Sequence, residues 1–166
     1  MEPLSSLVEL LAKRAASQPD ARAYIFLSDR GTEEAALTFR QLHDAANACA
    51  VQLTAVARPG ERALLVFPPG LEFIVAFFGC LIARVIAVPM MMPRRQSARD
   101  SSAAIIANCE PAVALTSAAF ANRQDLQTRF AREGLQWLAV GLDPSPVARP
   151  DMPAPQPASR TIAADL

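Results

Sequence analysis

Residues 62–93 read RALLVFPPGLEFIVAFFGCLIARVIAVPMMMP. Ala63 to Phe67 is an apolar run of strand length, and Pro68-Pro69-Gly70 cannot continue a hydrogen-bonded ladder. Leu71 to Ala83 carries apolar side chains on nearly every face, which predicts a helix buried on all sides. Val85 to Val88 is a second buried strand, stopped by Pro89. Two buried strands joined through a helix form a βαβ crossover, the unit of a parallel sheet covered on both faces.

Working outward toward the N-terminus, Leu4, Leu7, Val8, Leu10 and Leu11 put an apolar stripe on a first helix ending near Pro19. Ala23 to Leu27 reads as a strand, with Ala36 to Phe39 as its hairpin partner across the polar loop Ser28 to Glu34. Thr38 and Gln41 have the spacing of a capping box for a helix over 39–56. Leu42, Ala45, Ala46, Cys49, Ala50 and Leu53 give that helix its apolar face. His43 lies off this face and is the only histidine, so it reads as a surface residue and not as a metal ligand or catalytic base.

Toward the C-terminus, residues 99–108 form a helix anchored by Ile105 and Ile106, and Pro111 to Thr116 a buried strand. Ser117 caps a helix running through Phe120, Leu126 and Phe130 to Gly134, and Leu135 to Val140 is the last strand. The fold class is therefore α/β: a mainly parallel sheet flanked by helices on both faces, with an early antiparallel hairpin. Residues 1–140 form this unit. Residues 141–166, with six prolines, read as an extended Pro-rich linker.

Apolar residues make up 52% of the chain against 19% charged, which excludes general disorder. Sixteen basic and sixteen acidic residues cancel, so nothing favours a nucleic-acid partner. Cys49, Cys80 and Cys109 are dispersed in apolar helical contexts and read as buried free thiols in a reducing, cytoplasmic compartment. The longest charge-free part of the apolar stretch, Phe73 to Ala83, falls short of the ~20 residues a bilayer needs, so no membrane span is expected.

The segment PPGLEFIVAFFGCL followed by IAVP resembles the N-terminal subdomain of the adenylate-forming (ANL) superfamily, and within it the fatty acyl-AMP ligases. Leu37-Thr38-Phe39 with Leu42, Pro59-Gly60-Glu61-Arg62 and Val113 to Thr116 fall in the same order as in that family. The sequence departs from the pattern at Arg84, where the family generally has glycine, and at Met90-Met91-Met92, where it is richer in Pro and Tyr.

The resemblance implies an enzyme that activates a long-chain fatty acid with ATP and Mg for transfer to an acyl carrier protein, in polyketide, lipopeptide or lipid synthesis. It also implies that residues 141–166 lead toward a phosphate-binding loop that would follow them. The family's magnesium-binding acid, adenine-contacting loop and catalytic lysine fall beyond position 166. This chain has no Ser/Thr/Gly-rich phosphate loop, and its only lysine is Lys13, so no residue here is assigned as catalytic or metal-binding and no cofactor is expected on residues 1–166 themselves.

Two binding roles follow from the resemblance. Met90, Met91 and Met92 are candidates for the wall of the acyl tunnel, and Arg94 and Arg95 for contact with a phosphate or carrier protein. The expected partners are the remaining subdomains of the ligase, and an isolated fragment is expected to show apolar surface and self-associate. Two other readings use the same residues: a stand-alone interaction module, or the equivalent piece of an acyl-CoA synthetase or peptide-synthetase adenylation domain.

Overall fold

A computed structural model describes residues 6–90, 102–123, 127, 128, 130 and 134–143. Helix α1 (Leu7–Ser17) starts at Ser6, whose hydroxyl accepts the Glu9 amide at 3.2 Å. Strands β1 (Arg22–Leu27) and β2 (Glu33–Thr38) pair antiparallel as a separate two-stranded sheet. Helix α2 (Phe39–Thr54) opens with the expected capping box. The Gln41 amide donates to Thr38 Oγ1 at 3.2 Å, and the Thr38 amide to Gln41 Oε1 at 2.9 Å. All six residues of its predicted apolar face are buried.

The remaining described elements are β3 (Arg62–Val66), α3 (Leu71–Ala83), β4 (Ile86–Met90), α4 (Ser102–Cys109), β5 (Val113–Ser117) and β6 (Gln136–Val140). The four strands form one parallel sheet in the order β4-β3-β5-β6. Strand alternation sorts its side chains onto two faces. Ala63, Leu65, Val113, Leu115, Leu138 and Val140 meet α1, α2 and α3. Leu64, Val66, Ala114 and Trp137 meet Ile106 of α4, with Phe130 and Met90. Helices thus cover both faces, as the apolar runs imply.

Helices α2 and α3 lie against each other at Gly79. A methyl group built there would fall 2.6 Å from Cys49 Sγ and 2.9 Å from its Cβ. The close approach lets two helices that share the same sheet face pack tightly over it.

Several expectations are corrected. Helix α3 is not buried on all sides: Phe73, Ile74, Phe77, Leu81 and Ile82 are only partly covered. Their flank is held by rings instead, with Phe67 edge-on to Phe73 at 6.2 Å and Phe73 stacked on Phe77 at 6.4 Å. Strand β4 is not a buried central strand and does not stop at Pro89. It is an edge strand that runs through Pro89 to Met90, with Ile86 49% exposed. Proline is compatible with an edge because no outer neighbour needs its missing N–H.

Ser117 is the last residue of β5 and caps no helix with its side chain. Its carbonyl accepts the amides of Phe120 and Ala121, closing a turn over residues 118–122. Of the two isoleucines in α4, Ile106 is buried while Ile105 is 37% exposed. Cys109 is half-buried, unlike Cys49 and Cys80. The proline-rich segment lies outside the described residues from position 144 onward.

Candidate functional site

The sheet order decides where a ligand could lie. The chain leaves β3 through α3 to reach β4 on one side. It then returns across β3 through α4 to β5 on the other. The two crossovers run over opposite faces, so β3 and β5 flank the point where the winding reverses. In open α/β sheets, ligands bind beyond the C-terminal ends of the strands at such a point. Here those ends are Phe67-Pro68-Pro69-Gly70 after β3, Met90 at the end of β4, and Thr116-Ser117 at the end of β5.

Each of these groups is set by its local sequence. Gly70 begins α3 with no side-chain cap, and Glu72 brings a carboxylate into the first turn, where it favours the helix dipole. Thr116 is fully buried, and its Oγ1 has no hydrogen-bond partner. It shares a sheet face with Ala114, toward α4, and is paired in register with Ala139. An unpartnered buried hydroxyl is uncommon, and nothing in the sequence distinguishes Thr116 from an ordinary strand threonine.

Met90 is 8% exposed and packs with Val66, Ile106 and Phe130. Met91, Met92, Arg94 and Arg95 lie outside the described residues. His43 is half-buried on α2, with Nδ1 3.2 Å from Asp44 Oδ1 and its carbonyl accepting from Asn47 Nδ2 at 2.7 Å. It sits beside no nucleophile, as its place off the apolar stripe suggests. Lys13 pairs with Glu9 at 3.0 Å on the exposed side of α1, away from the strand ends.

Burial pushes the Cys49 thiol up to about 12, with a further rise from the neighbouring Cys80. Burial alone pushes Cys80 to about 12. Both are therefore neutral and poor nucleophiles. A cleft of about 280 Å³ between α2 and β6 is lined by Ala45, Ala48, Cys49 and Leu138, with Gln52 and Asp143 as its polar groups.

Among the described residues no group of three His, Cys, Asp or Glu side chains could hold a metal ion. With its only lysine held on α1, this donor set does not fit ATP or magnesium. The described residues build a scaffold and a binding wall. Among them, no helix is long and apolar enough to cross a membrane.

Arg84 occupies the joint between α3 and β4 with φ 59° and ψ 29°, the left-handed angle that glycine would take freely. The Val85 amide donates to the Cys80 carbonyl at 2.9 Å, the Arg84 amide to Leu81 at 3.2 Å, and the Gly60 amide to the Arg84 carbonyl at 2.8 Å. Its side chain is exposed. Glu110, ahead of β5, has a second positive φ of 45° that the sequence does not announce.

The profile of the AMP-binding enzyme family matches residues 11–161. The medium-chain-fatty-acid–[acyl-carrier-protein] ligase JamA of Moorena producens is 33% identical over 87% of this chain and 26% of its own length. The long-chain-fatty-acid–AMP ligase FadD32 of Mycolicibacterium smegmatis is 34% identical over 96% of this chain and 26% of its own. The crystal structure of a fatty acid AMP ligase from Legionella pneumophila superposes with a TM-score of 0.72 at 32% identity, covering 86% of this chain and 26% of that one. The chain thus spans about a quarter of the length of the relatives it matches. By the family profile, the sequence identity and the shared fold, this chain belongs to the AMP-binding enzymes, and it corresponds to the N-terminal part of their adenylate-forming fold.

Proposed function

We propose that this chain is the N-terminal portion of a fatty acyl-AMP ligase. The whole enzyme would join a long-chain fatty acid to AMP, using ATP and Mg, and pass the acyl group to an acyl carrier protein for polyketide, lipopeptide or lipid synthesis in the cytoplasm. One observation carries the reading: JamA, FadD32 and the Legionella structure match nearly the whole chain at 32–34% identity, and all three are named as fatty-acid ligases.

In this reading residues 1–140 are the N-terminal α/β subdomain and 141–166 a linker to the phosphate loop. The remaining subdomains supply the chemistry that the described residues lack. Met90, Met91 and Met92 are proposed as acyl-tunnel wall, and Arg94 and Arg95 as a phosphate or carrier contact. Support comes from the direction of β4, which delivers the run to the C-terminal edge of the sheet.

The test begins with the intact mass of the native gene product, which should be several times the 17.8 kDa of this chain. Residues 1–166 are then exchanged for the matching quarter of the Legionella ligase. The chimera should retain fatty-acid-dependent ATP–pyrophosphate exchange. A folded chimera that performs no such exchange, or a native product of 17.8 kDa, would overturn the reading.

A further inference from the structure

The β1–β2 hairpin stands apart from the parallel sheet, and among the described residues β1 pairs only with β2. Its other edge is Ala23-Tyr24-Ile25-Phe26-Leu27, five apolar residues without a charge or a proline. Exposed edges are usually guarded by lysine, proline or brevity, because their free N–H and C=O groups can template another strand. Ala23 and Phe26 pack against the core, but Tyr24, Ile25 and Leu27 are 40%, 46% and 52% exposed. The register irregularities of the hairpin lie between Arg22 and Tyr24 and between Phe26 and Leu27, leaving Tyr24 to Phe26 regularly paired.

Charge gives this edge a partner. Asp20 and Arg30 are exposed, have no partner among the described residues, and stand at equal distances on either side of Ile25. We propose that β1 is a self-recognition edge, on which a second copy of this chain pairs antiparallel about a two-fold axis at Ile25. That axis places Ile25 opposite Ile25, Tyr24 opposite Phe26 and Ala23 opposite Leu27. It also places Asp20 of each copy opposite Arg30 of the other, so the opposite charges meet twice. Main-chain bonds supply the attraction, and the flanking charges fix register and direction. A shift of one residue would set Ala21 against Arg30 and leave Asp20 unmatched. Pairing over so few residues is at the small end of specific interfaces, so monomer and dimer exchange with concentration.

Sedimentation equilibrium on the 166-residue chain tests this. The mass should rise with concentration from 17.8 kDa to about twice that value, the doubling expected of a two-fold pair. Ile25→Lys should hold the chain monomeric without lowering its melting temperature, because the side chain is half in solvent. Asp20→Arg or Arg30→Asp alone should weaken the dimer about tenfold, and the two together should restore it. Three results would overturn the proposal: a monomer at every concentration, association that survives Ile25→Lys, or a double reversal that stays weak. A strand from elsewhere in a longer polypeptide is the competing occupant. Slow amide exchange at Tyr24 to Phe26 in the monomeric native gene product would assign the edge to it and overturn the self-pairing; fast exchange there supports it.

Discussion

At Gly79 the missing side chain is what lets α2 and α3 approach, since an added methyl would lie 2.6 Å from Cys49 Sγ. Gly79→Ala should therefore lower stability by about 1–3 kcal/mol in urea unfolding, the usual range for overpacking, although alanine is the better helix former. Cys49→Ala in the same chain should recover part of the loss by removing the obstructing sulfur. Arg84 is the converse case, a side chain where the backbone favours none. Arg84→Gly should raise stability by about 1 kcal/mol, the strain of an L-residue in the left-handed region, and a melting curve checks it. A fall would mean that the exposed guanidinium outweighs this strain through its favourable position at the C-terminal end of α3.

At the scale of elements, α2 is the piece whose ends and buried face follow most directly from its residues. Thr38→Ala removes one half of the reciprocal cap and should cost about 1 kcal/mol of stability. Gln41→Ala should cost less, since it leaves the Thr38 hydroxyl on the Gln41 amide; thermal melts of the two variants decide.

Such caps and stripes are written locally, which is why α2, the bounds of α3 and the existence of every strand were legible. What was not legible depends on neighbours. Pro89 ends a central strand but is tolerated on an edge, and nothing in Val85 to Met90 says that β4 has no outer partner. Ser117 has the residue type of a helix cap, yet its place in the β5 ladder keeps its backbone extended. The apolar composition of α3 was clear, but how much of it is covered depends on what packs around it. For the candidate site, the resemblance placed the methionine run at the end of β4. The orphaned hydroxyl of Thr116 and the glycine seat under Cys49 arise only from three-dimensional contact.

At the scale of the whole molecule, the two buried thiols link folding to alkaline pH. Burial raises both from 9.0 to about 12, so the folded chain keeps protons that the unfolded chain releases above about pH 9. The unfolded state then binds fewer protons, and stability falls as pH rises from about 9 to 12; below that window the thiols add no pH dependence. Melting temperatures across this range should fall more steeply for the native sequence than for a Cys49→Ala, Cys80→Ala variant. The strand order has a different consequence, one of timing. On a ribosome β3 emerges first, and α3 returns β4 to one of its sides. β5 then finds the other side open, and β6 finds β5 already in place. No strand has to wait for a later one to provide its neighbour, so the parallel sheet can assemble outward from its centre in the order of translation.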